Sequence, residues 1–225
     1  MTEKALAEPA KNRAVRAIDI YRDFVVEITK RLNAVSDSIS ELKANPKHPN
    51  AWQNCDFCWL QIRKICEYLT IGIVAAHHFD GAAIADLHKW RPKELLAQVS
   101  KLNDHPTPVL ISSSFGNGVD GERQIMPLAR PIKPGAISAV YGRCSDLFHL
   151  GSLERILSDK LPAYEIAQLD RWLSAFQKLS ANHALFLPGI RKVMVCRTED
   201  NEQSFFALES DGAIFDTSEL SEFEI

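Results

Sequence analysis

Long apolar runs are what this 225-residue chain most plainly lacks. A membrane-crossing helix needs about 18 consecutive apolar residues. The nearest stretch spans residues 68–79 and ends in His77-His78, which predicts a buried helix segment. Met1 to Pro9 carries Glu3, Lys4 and Glu8 and no apolar centre, so it does not read as a secretory leader. The five cysteines, Cys55, Cys58, Cys66, Cys144 and Cys196, are odd in number and follow no framework spacing. Together these absences predict reduced thiols, a cytoplasmic setting and no membrane partner. Internal repeats and low-complexity segments are missing as well.

An excess of positive charge is also missing. The 26 basic and 29 acidic residues leave a net charge of −3. Taken over the whole chain, that value argues against a protein that coats nucleic acid. Its distribution argues differently. Residues 199–225 hold nine of the acids and no lysine or arginine, so the preceding 198 residues carry a net charge of +6. A mildly basic body permits a nucleic-acid-binding face. The acidic segment is then expected to lie over that face and restrain it.

The chain has 46% hydrophobic and 24% charged residues, enough for one good core and too apolar for wholesale disorder. Ile18, Tyr21, Val25, Ile28, Leu32, Val35, Ile39 and Leu42 alternate in steps of three and four. They predict a long amphipathic helix with a narrow seam, ended by Asn45-Pro46. Trp52, Cys55, Trp59, Ile62, Cys66, Leu69, Ile73 and Ala76 repeat the spacing. Phe57, Cys58, Leu60, Ile65, Ile71 and Val74 add apolar residues on other faces, which marks a central helix. The short connection predicts an antiparallel αα-hairpin.

Arg91 to Leu102 reads as a short helix. Val109 to Ser113 and Gln124 to Leu128 are expected to pair across a Pro- and Gly-rich turn. A helix from Pro134 to about Gly151 follows, then another from about Pro162 to Asn182. Beyond Leu187-Pro188-Gly189 the pattern changes to strands at Ile190–Arg197, Ser204–Leu208 and Ala213–Phe215, with turns at Glu199–Glu202 and Asp211-Gly212. The predicted fold is mainly α: a helical bundle on a long antiparallel αα-hairpin with a small antiparallel β meander, α+β overall. It is read as a single domain, with a helical core of about residues 10–185 and a β appendage of about 188–216.

Three patterns invite a chemical reading. Cys55-Asp56-Phe57-Cys58, with His77 and His78, offers four metal-ligating side chains. The spacing fits no usual zinc pattern, Cys55 lies on the seam, and adjacent helical histidines diverge by about 100°. Small core residues are the better reading, and neither a metal nor a cofactor is expected. Ser112 to Gly118 holds glycines but no phosphate-loop lysine, so a surface turn is expected. The third pattern is Arg143 and His149, separated by five residues. A histidine near neutral pH takes a proton from a ribose 2′-hydroxyl or gives one to the leaving oxygen. An arginine clamps the phosphate and stabilises its developing charge. Six helical steps turn about 240° and rise about 9 Å, so the two converge only at a helix end or bend, or with a second copy. Chance supplies about one such pair in a chain of this composition. The competing assignment is a histidine facing its helix dipole beside a surface arginine.

Context adds to the pair. Tyr141 to His149 follows a long αα-hairpin, an arginine-bearing apolar helix at Ile62 to Leu69, and a proline-containing segment at Asn103 to Pro108. This arrangement resembles the HEPN superfamily, over about residues 10–185, and within it a bacterial family with an arginine-x5-histidine motif. The resemblance implies a four- or five-helix bundle and a homodimer with paired motifs at a shared cleft. For active members it implies metal-independent endoribonuclease activity in toxin–antitoxin or phage-defence systems. Carried onto this chain, His149 becomes the general acid or base and Arg143 the phosphate clamp. Asp146, three residues before His149, becomes the group that orients the imidazole. Active members often carry a polar residue after the arginine, where this chain has Cys144. The alternative the resemblance implies is a noncatalytic module that binds a protein partner.

Overall fold

The computed structural model describes residues 10–49, 51–81, 84, 91–113, 116–117, 123–148, 166–199, 202–209 and 220–225. Two long helices dominate, α1 (Ala10–Ala44) and α2 (Ala51–Asp80). The 3-4 repeat of α1 does what its spacing dictates. Tyr21, Val25, Ile28, Leu32, Val35, Ile39 and Leu42 are all buried, and Ala17 takes the buried place expected of Ile18. Short turns through His48 reverse the chain, and α2 runs back along α1. The close approach falls at Gly72, where a Cβ would stand 3.3 Å from the Phe24 Cβ. A methyl group here would press on that Cβ, and the contact would have to yield by a few tenths of an ångström.

On α2, Cys55, Trp59, Ile62, Cys66, Leu69, Ile73 and Ala76 are buried as expected, and so are Cys58, Ile65 and Val74. Trp52 is a correction: it is 53% exposed, because it lies in the first turn of α2, beyond the main packing surface. Phe57 and Leu60 are also exposed, so α2 is apolar on two sides but open on a third. It contacts α1, α3 (Pro92–Val99), α4 (Pro134–Phe148) and α5 (Ile166–Ala181), which makes it the central helix. Among the described residues no helix is long and apolar enough to cross a membrane.

The helices are joined by a four-stranded antiparallel sheet of order β1-β4-β5-β6. These strands are β1 (Val109–Leu110), β4 (His183–Leu187), β5 (Lys192–Glu199) and β6 (Glu202–Glu209). The expected strands at 190–197 and 204–208 correspond to β5 and β6. Pro188–Ile190 is instead a 3-10 turn, and Arg191 follows it with φ of 52°. The expected turn at Asp211-Gly212 and strand at Ala213–Phe215 lie outside the described residues.

The sheet also recruits two segments that the sequence reading did not assign to it. β4 follows α5 directly, and β1 comes from the middle of the chain to pair Val109 with Ala184. The expected pairing around the 109–128 turn is present too. Ile111 bridges Pro127, and β2 (Gly116–Asn117) pairs with β3 (Arg123–Gln124). Strand alternation explains why the sheet is covered on both faces. Leu185, Leu187, Met194 and Cys196 join the helical core, whereas Ala184, Val193 and Val195 pack with Ile111 on the other side.

Polar clamps fasten the sheet to the bundle. The Asp80 carboxylate, at the end of α2, accepts from the Gly189 and Ile190 amides at 2.9 and 2.6 Å. His183 Nδ1 donates to the Leu179 carbonyl at 2.6 Å, which leaves Nε2 to accept from the Tyr21 hydroxyl at 3.0 Å. His77 Nδ1 donates to the Ile73 carbonyl at 2.9 Å, and its Nε2 accepts from the Asn103 amide at the same distance. Asn103 spends its other amide proton on the Phe186 carbonyl.

Candidate functional site

Pro134 opens α4, as its fixed φ and missing amide proton favour. Ile137, Val140 and Cys144 form the buried stripe of this helix. The flank beside that stripe carries Ala136, Ala139 and Arg143, in steps of three and four. Across from it, α5 presents Gln168, Arg171, Ala175 and Lys178 with the same periodicity. The small residues keep the floor low, and a groove of about 740 Å³ lies between the two helices.

Arg143, Arg171 and Lys178 all line this groove. None of the three side chains makes a hydrogen bond or ion pair with another described residue. Gln168 adds a buried side-chain oxygen with no hydrogen-bond partner among the described residues. Buried acceptors are rarely left so. Residues Phe223, Glu224 and Ile225 lie along the same groove.

The other sequence candidates divide as follows. Asp146 is exposed on α4 and has no hydrogen-bond or ion-pair partner among the described residues. His149 lies outside the described residues. Cys144 is buried, and its thiol is pushed up to about 12 by desolvation, against the opposing pull of Arg63 and Arg143. It is therefore a packed core residue and not a nucleophile. Compared with family models, curated proteins and solved structures, the chain matches none.

Arg63, from the apolar helix segment Ile62 to Leu69, is engaged elsewhere. It donates to the Tyr141 hydroxyl at 3.1 Å, stacks 5.0 Å above that ring, and approaches Glu67 at 3.5 Å. It ties α2 to α4 and sets the rotation of the helix that carries Arg143. Cys55 and Cys58 are buried in the core, as the small-residue reading expects. Burial raises both thiols, and no group of three or more metal-ligating side chains occurs among the described residues.

The sequence singles out Arg143 but not Arg171 or Lys178, which line the same groove. The available signal was their own spacing, two cations seven residues apart on the polar side of an amphipathic helix. Nothing in the sequence said which helix would face Arg143.

Proposed function

We propose that the α4–α5 groove binds the phosphodiester backbone of RNA, with Arg143 as the principal phosphate clamp. The observation that carries this reading is the shared placement of Arg143, Arg171 and Lys178 without carboxylate partners among the described residues. Guanidinium and ammonium groups held on facing helices suit a row of phosphates. RNA is the nucleic acid implied by the resemblance of Arg143 and its surroundings to the HEPN superfamily.

Arg143→Ala and Arg171→Ala are each expected to weaken binding of a mixed-sequence single-stranded RNA by about tenfold and to lower the slope of affinity against salt by about one unit. Fluorescence anisotropy over a salt series reads both, with a DNA strand of the same sequence for comparison. Unchanged RNA affinity in both variants removes the reading.

A second reading goes further, to metal-independent cleavage by an HEPN-like homodimer. What favours it is that Arg143, the arginine of that motif, lines the groove beside Arg171 and Lys178. In that reading His149 is the acid or base and Asp146 orients it. Wild-type protein then cuts RNA in the presence of chelator, His149→Ala does not, and sedimentation gives two chains. Binding without cleavage, equal in both forms, leaves the noncatalytic module.

A further inference from the structure

The segment at 220–225 is held in two ways. The Arg130 amide donates to the Ser221 carbonyl at 3.0 Å, and Glu222 pairs with Arg130 at 3.2 Å and Lys133 at 3.3 Å. Beyond that anchor the residues alternate. Phe223 and Ile225 are half-buried against the helical core, while Glu222 and Glu224 are exposed. This is the period-two pattern of an extended chain lying on an apolar floor. Its last part runs along the groove beside Arg143, Arg171 and Lys178.

The anchor is of a kind that releases readily. Glu222 is 41% exposed, and ion pairs open to water contribute little and weaken with salt. The occupant also matches the groove in chemistry, since Glu224 brings a negative charge among cations that have no ion-pair partner among the described residues.

We propose that residues 220–225 form a displaceable strap that occupies the groove in cis and competes with a polyanionic ligand for it. The strap rests on the RNA reading only for the identity of that ligand. A groove open in about one molecule in ten would bind RNA about tenfold more weakly than a permanently open one.

The test compares the full chain with Glu222→Gln and with Glu222→Gln/Phe223→Ala. The probe is a labelled mixed-sequence single-stranded RNA in chelator. Asp104→Asn, an equal charge change on an exposed residue away from the groove, is the control. Binding about tenfold tighter in the double variant, little changed in the control, is the expected result. A synthetic peptide of residues 220–225 should return the double variant to wild-type affinity. Glu222→Gln alone should give an intermediate affinity, which keeps the test informative where the double variant folds poorly.

Equal RNA affinity in all forms, with binding still dependent on Arg143, overturns the strap and leaves the RNA reading standing. Absence of RNA binding in every form overturns the RNA reading instead. The labelled peptide then decides the strap: uptake by the double variant and not by wild type sustains it, and uptake by neither overturns it.

Discussion

Lowering the pH from 6.5 to 4 should cost the folded protein about 5 kcal/mol, about half of it from each of two buried histidines. His77 and His183 both fall from 6.5 to about 4, because burial disfavours their charged forms. Between those values the unfolded chain binds protons that the folded chain refuses. Stability is therefore complete above pH 6.5 and is lost progressively as the pH falls to about 4.

The hydrogen bonds give the same sign. His77 Nε2 accepts from the Asn103 amide, and both protons of that amide are already committed. A proton added to Nε2 would face another N–H. At His183 the Tyr21 hydroxyl would lose the acceptor for its own proton. Tyr21 offers no compensating charge, since burial drives its own pKa well above 10. Cys196, the other titratable group near this pair, is likewise held neutral, its thiol pushed up to about 12. Urea midpoints at pH 7, 5.5 and 4.5 measure the loss, and His77→Gln should remove about half of the pH dependence. A flat profile across that range would show that the two rings titrate normally.

Gly189→Ala is expected to destabilise by about 3 kcal/mol or more, lowering Tm by on the order of 10 °C in a chain of this length. A Cβ at this position would stand 2.3 Å from the Asp80 backbone oxygen and 3.0 Å from its carboxylate. Backbone cannot swing aside as a flexible side chain does. Either the end of α2 moves or the turn between β4 and β5 moves, and either motion disturbs the bonds from the Gly189 and Ile190 amides to Asp80. Gly142→Ala is the matched comparison. It lies inside α4 with nothing within 4 Å of the added atom, so helix propensity should stabilise it by up to about 1 kcal/mol. Calorimetry on the pair separates close approach from composition. Equal Tm values in the two variants would refute the clamp.

How much of this was legible beforehand depended on range. The hairpin of α1 and α2 is written in local spacing, and the seams from Tyr21 to Leu42 and from Cys55 to Ala76 are buried almost residue for residue. Trp52 continued the pattern beyond the helix surface that has a partner, which periodicity alone does not reveal. β4 was hidden because His183 to Leu187 is short, mostly apolar and joined directly to a helix. Its pairing with Val109-Leu110 depends on how three helices dock. The candidate site followed the same rule. Arg143 stood out through its neighbours in sequence, and the acidity of residues 199–225 is legible in composition, though among the described residues only Glu224 of those acids lines the groove. Arg171 and Lys178 reach the groove only through tertiary packing.

The bond between Tyr21 and His183 also constrains the order of assembly. Its partners are 162 residues apart, and the sheet beside it unites β1 with strands that follow α5. Contacts of such separation form late, because the loop they close must first be ordered. While the chain is being synthesised, α1 and α2 can pair long before β4 exists. Until then the core-facing side of Tyr21 stays wet, and the seam of the hairpin is exposed to other chains. Sealing that end of the bundle requires β4, so a nascent chain stalled before His183 would leave the core-facing side of Tyr21 uncovered.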